Sequence, residues 1–191
     1  MGWLSKAKTV RALDAVGQGA DVEIEVVVAS PDAIESTTAP IRAAAFRWAL
    51  LTERTGHGGG KGGGGTTRAL DPFAGGWRGG PLVVRAPCGR TIEISLDHAQ
   101  LSAPVDPEDG VPLGESPRSA QTYAAVLARA PAGSGVVYVR EHAITHGQRL
   151  VLRARLEPTL SASSYRDAAS TTTAAFRSTG EITIEDRSLD L

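Results

Sequence analysis

The sequence predicts a mainly β protein, an antiparallel small barrel or sandwich, and three observations carry that expectation. Short runs rich in Val, Ile and Leu recur along the chain, separated by Gly, Pro and polar residues. Helical stretches do not alternate with these runs, which argues against a doubly wound sheet. With 41% hydrophobic residues in 191, the chain can bury a core without staples, and at 5% aromatic that core must be mostly aliphatic.

Residues 1–19 form the first element. In "WLSKAKTVRALDAV", Trp3, Val10, Leu13 and Val16 fall near one helical face and Lys6, Lys8 and Arg11 off it, so an amphipathic N-terminal helix is expected. "VEIEVVVAS" (22–30) begins in alternation and ends as a continuous β-branched run, the pattern of a strand increasingly buried on both faces. "PIRAAAFRWALLTER" (40–54) fits either a helix or a strand with Ile41, Phe46 and Trp48 on one side. A Gly-rich loop covers 56–65, and "DPFAGGWRGG" (71–80) is turn-rich. "PLVVRAPCGRTIEISL" (81–96) reads as a hairpin turning around Cys88 and Gly89. The four prolines of 103–118 mark a surface excursion, and "SAQTYAAVLARA" (119–130) marks a short helix. Further strands are expected at 134–144, 148–158 and 180–186, the last running into the tail that ends at 191. A loose Ser/Thr/Ala loop is expected over 159–179.

Formal net charge is −1, from 20 basic and 21 acidic residues with interspersed signs. That balance lacks the concentrated positive field of a dedicated nucleic-acid or membrane-surface binder. No apolar run approaches the roughly 20 residues of a membrane span, and the N-terminal stretch lacks the apolar segment of a secretory signal. Cys88 is the single cysteine, so no intramolecular disulfide can form. A soluble cytoplasmic protein is the expectation, and the Ala/Arg/Gly-heavy usage suggests a bacterial source.

Motifs that could carry chemistry are each outweighed by a plainer reading. In "GHGGGKGGGGTT" (56–67) Gly60-Lys61 resembles the end of a phosphate loop. Yet Thr55 stands where the first glycine belongs and Gly62 where Ser or Thr must hold magnesium. A slack connection is the better account. His142 and His146 are four apart, but on a strand that spacing is about 13 Å, too far for one metal. His57 and His98 are the other histidines, and a structural or exposed role is expected for the pair. Cys88 lies between Arg85 and Arg90, which would favour a thiolate, and His98 is the nearest base in sequence. A small residue at a hairpin turn explains it more simply. Asp106, Glu108 and Asp109 lack the spacing of a calcium loop. Catalytic, cofactor-binding and metal-binding residues are therefore expected to be absent.

Three stretches in order resemble a known family: "VVVASPDAIESTTAPIRAAAFRWAL", "PLVVRAPCGRTIEISLDHAQL" and "REHAITHGQRLVLRARLEP". Together they are similar to the GIDE-type, or "beside a membrane", domain of the mitochondrial membrane-anchored E3 ubiquitin ligases and bacterial relatives. The resemblance covers residues 20–158 and the final strand, with Ser30, Pro31, Pro40, Glu141 and Gly147 at motif positions. The ligases' RING needs eight Cys/His zinc ligands, which one cysteine cannot supply, so ligase activity does not carry over. Nor do the flanking membrane spans.

The leading expectation is a non-enzymatic module that binds a protein or peptide partner of unknown identity. An OB-like barrel binding single-stranded nucleic acid or oligosaccharide is the first alternative. Arg42, Arg47, Arg54, Lys61, Arg68 and Arg78 would serve as its cations and Phe46, Trp48 and Trp77 as stacking platforms. A thiol hydrolase using Cys88 is the second.

Overall fold

Alternation in the first strand, β1 (Asp21–Val28), sets the barrel wall: Val22, Ile24, Val26 and Val28 are buried while Asp21, Glu23 and Val27 face out. The computed structural model describes residues 21–56, 67–103, 109–130, 135–159 and 176–186. The expected helix at 1–19, the Gly-rich loop with His57 and Lys61, residues 104–108 with Asp106 and Glu108, most of the 159–179 loop and the tail beyond 186 lie outside the described residues.

Five strands close on themselves. After β1 come β6 (Leu82–Arg85), β7 (Thr91–Ile94), β11 (Arg149–Pro158) and β12 (Phe176–Asp186). The neighbour order β11-β1-β6-β7-β12 is completed by a β11–β12 pairing, so the ring has no open edge between these strands. In chain order the first three barrel strands are consecutive neighbours and the fourth lies beside the first, which is a Greek key. The last strand fills the remaining gap. Its neighbour β7 runs parallel to it, as does β8 (Ala99–Ser102), which extends the sheet outside the ring. The expectation of a small β barrel holds, with these two parallel pairings breaking a purely antiparallel scheme. Parallel neighbours need long crossovers, and the long stretch between β7 and β12 supplies one.

The barrel interior is aliphatic. Leu82, Val84, Ile92, Ile94, Leu150, Leu152, Leu156, Ile182 and Ile184 are nearly inaccessible and pack with the inward side chains of β1. A bulge between Ala154 and Arg155 of β11 leaves Gly180 and Glu181 of β12 without pairing partners there, and Gly180 adopts φ +73°. Because two residues are skipped, Phe176 and Ser178 stay on the same inner face as Ile182 and Ile184.

A second sheet grows out of the barrel from two insertions. Its order is β5 (Thr67–Arg78), β4 (Ala45–Gly56), β10 (Val137–Ile144) and β9 (Val111–Pro112), all antiparallel. Ala44, Ala45 and Ile144 belong to the barrel core, so this sheet is rooted there rather than tethered. A small hairpin of β2 (Ile34–Glu35) and β3 (Arg42–Ala43) precedes it.

Several elements differ from their sequence expectation. The ambiguous 40–54 is strand, and the turn-rich 71–80 is strand as far as Arg78. Residues 109–118 are not a solvated excursion: they hold β9, a 3₁₀ turn with buried Leu113, and the helix start at Pro117. The helix expected over 119–130 is two pieces, Pro117–Thr122 and Ala124–Leu127, joined at Tyr123. The final strand starts at Phe176, earlier than 180. Among the described residues no helix is long and apolar enough to cross a membrane.

Candidate functional sites

Glu141 projects from β10 on the same face as Val139, toward the small core of Leu50, Leu113 and Tyr123. Its carboxylate is 1% exposed and meets five donors. Arg78 Nη1 lies at 2.5 Å, the Tyr123 hydroxyl at 2.6 Å, the Ser36 hydroxyl at 2.7 Å, and the Thr37 amide and hydroxyl at 2.8 and 2.9 Å. Burial alone would push the carboxyl up, but the hydrogen bonds from Tyr123, Ser36 and Thr37 prevail and hold it below its ordinary 4.5. Burial, followed by the bond to Glu141, pushes the Tyr123 phenol up to about 12.

The partners are themselves anchored. Ser119 donates to the Thr37 hydroxyl at 2.8 Å, and Ser116 donates to the Thr37 carbonyl at 2.7 Å while capping the helix through the Ser119 amide. Arg78 also donates to the Glu35 carbonyl and lies over the Phe46 ring at 5.3 Å. The result is a clasp joining the β2–β3 hairpin, the helix, β5 and β10. Every carboxylate lone pair faces a fixed donor, so its geometry is that of a structural charge rather than a proton shuttle.

His142 and His146 do not converge on one point. His142 leaves the side of β10 opposite Glu141, and its Nε2 meets Asp186 Oδ2 at 2.9 Å, tying the second sheet to the end of β12. His146 sits in the turn after β10, where Nδ1 faces the Ser30 carbonyl at 3.2 Å and the amide donates to Asp32 at 2.7 Å. Among the described residues no group of three or more His, Cys, Asp or Glu could hold a metal ion. Cys88 occupies the β6–β7 turn and packs partly buried against the barrel core. Among the described residues no hydrogen bond joins it to His98 or His146.

The arginines and aromatics are dispersed. Phe46 is buried, Trp48 packs on Tyr123 with ring centroids 4.9 Å apart, and Trp77 lies against the barrel core with its indole N–H on the Ala99 carbonyl at 2.8 Å. Arg47 lies 5.9 Å over Trp77, and burial lowers its pKa. Arg42 is exposed and donates to the Ala33 carbonyl at 3.1 Å. The side chains of Arg54 and Arg68 lie outside the described set.

A feature the sequence reading missed lies on the outer barrel wall. Val27 is not buried on both faces: it is 37% exposed, one of three exposed large apolar side chains among the described residues. Around it is a half-open hollow of about 270 Å³, bounded by Val27, Ala29, Arg85, Pro87, His146 and Gly147, with Glu25 at one end. Its wall is built by the turn after β10. Gly147, at φ +79°, donates to the Val28 carbonyl at 2.9 Å, and Val28 donates to the Gln148 carbonyl at 2.9 Å. The opposite side is fixed by Ser30, whose hydroxyl accepts from the Val83 amide at 2.8 Å. Ser30 and Gly147, two residues of the family resemblance, thus hold this corner, while Glu141 serves the clasp.

No family model, curated protein or solved structure matches this chain. The functional reading therefore rests on the geometry just described.

Proposed function

We propose that this chain is a protein- or peptide-binding module. The observation that supports it is the hollow around Val27, a partly enclosed apolar depression on a rigid barrel wall. Elsewhere, among the described residues, the buried polar side-chain atoms are hydrogen-bonded save the Thr159 hydroxyl. The outer faces of β1, β11 and β12 are laced by Arg153 with Glu23 and Glu185 and by Arg177 with Glu157. A valine in such a recess offers an apolar contact for a partner's aliphatic side chain.

A second reading is favoured by the ring itself. The closed five-stranded ring supports an OB-like reading, a class of barrel that binds oligonucleotides and oligosaccharides on one face. Against it, the aromatics that would stack on bases are already engaged, and Arg78 neutralises Glu141. The GIDE-type resemblance agrees with a non-catalytic β domain and is retained as part of the proposal.

Selection of displayed random peptides on the immobilised protein tests the main reading. Enriched peptides are expected to bind the parent and to lose binding to Val27→Asp, a change at an exposed position that leaves the core intact. Failure to enrich any peptide, or enrichment indifferent to Val27→Asp, would remove it. Salt-steep retention of single-stranded DNA on filters would favour the barrel's other reading instead.

A further inference from the structure

The partner's chemistry is read from the row of residues that runs through Val27. In the pairing of β11, β1 and β6, Val27 lies directly opposite Arg149 on one side and Arg85 on the other. Directly opposed residues project to the same face, with Cβ atoms about 5 Å apart. All three are exposed, so an arginine, a valine and an arginine stand side by side on the outer wall. Among the described residues neither the Arg85 nor the Arg149 side chain has an ion pair or hydrogen bond. Their neighbour Arg153, two positions along β11 from Val151, is bound to Glu23.

Two carboxylates stand near this pair. Glu25 stands two residues along β1 at the end of the hollow, and Asp32 already accepts from the His146 amide. His146, in the wall, adds no negative charge. An apolar hollow lined by Arg85, with Arg149 opposite Val27 just outside the lining, is complementary to an aliphatic side chain with carboxylates next to it.

We infer that the hollow receives a peptide segment in which one aliphatic residue is flanked by Asp or Glu. This rests on the peptide-binding reading above and narrows it. A nucleic acid is the less fitting anion: the floor is formed by Val27, Ala29 and Pro87, with no aromatic ring to stack a base and no extended track of cations.

The test uses the full chain and two synthetic dodecapeptides, one with a central Leu among Glu and Asp residues, the other its Gln/Asn copy. By fluorescence anisotropy at low salt the acidic peptide is expected to bind about tenfold tighter than the copy. Arg85→Gln and Arg149→Gln are each expected to weaken it about two- to fivefold, the scale of an exposed ion pair. Raising salt should erode the preference. Equal binding of both peptides, or loss of neither on removing the arginines, overturns the inference and leaves the peptide-binding reading standing. An oligothymidylate that outcompetes the acidic peptide through the same arginines overturns it in favour of nucleic acid. If display also yields no Val27-dependent peptide, the broader reading falls with it. Thermal melts of both variants, expected unchanged at these exposed sites, separate a binding loss from unfolding.

Discussion

Glu141 carries a charge where solvent cannot reach it, and the five donors around its carboxylate offset the cost of burying it. Glu141→Ala would leave Arg78 and the Tyr123, Ser36 and Thr37 donors without their acceptor. Removing one partner of a buried ion pair costs about 3–5 kcal/mol, so denaturant unfolding at neutral pH is expected to show a loss of that order. The sign of the pH dependence follows from the two shifts. Held below 4.5, the carboxyl binds fewer protons folded than unfolded, so its contribution is full above that value and is lost as pH falls through the depressed pKa. The gap between parent and Glu141→Ala should therefore narrow in acid. Tyr123 works at the other end: raised from 10.0 to about 12, it keeps its proton folded when the unfolded chain has lost it. Stability is expected to decline between pH 10 and about 12, and Tyr123→Phe should flatten that limb.

Among the elements, β5 shows why local pattern misleads. "DPFAGGWRGG" has the composition of a turn, yet its backbone pairs with β4 from Thr67 to Arg78. The reason is across the sheet. Trp48 faces Gly76, and a Cβ at Gly76 would stand 2.9 Å from the indole Cζ2. The glycine is required by the neighbour's ring rather than by a bend. Gly76→Ala is expected to displace Trp48 and cost about 1–3 kcal/mol, the scale of overpacking. A lowered melting temperature with an altered tryptophan near-ultraviolet signal would show it, and an unchanged signal would count against this contact. The β6–β7 hairpin was legible because its alternation and turn residues lie within one window of sequence. The clasp was not, since Ser36 reaches Glu141 across 105 residues and Arg78 across 63. Val27 hid inside "EVVVAS" because a β-branched run looks alike whether one face or both are covered. Whether another element packs over that face is settled by tertiary structure, which the run itself does not encode.

At the level of the whole molecule, the ring closes only when its last strand arrives. β12 pairs with β11, β7 and β8, and its Phe176, Ile182 and Ile184 complete the aliphatic interior. Without it, β11 and β7 would each present an unpaired edge over an exposed core. A chain ending at residue 175 is therefore expected to lose its cooperative thermal transition rather than to melt a few degrees lower. It should also expose apolar surface that binds a hydrophobic dye. Since most of the missing stabilisation is strand pairing and burial, a synthetic peptide spanning 176–191 should restore the transition in trans, with a midpoint that rises with peptide concentration. Recovery of cooperativity would place closure in that strand's own contacts. A truncated chain that melts sharply without the peptide would show instead that the Greek key of β11, β1, β6 and β7 folds without its fifth member, and that β12 only covers it.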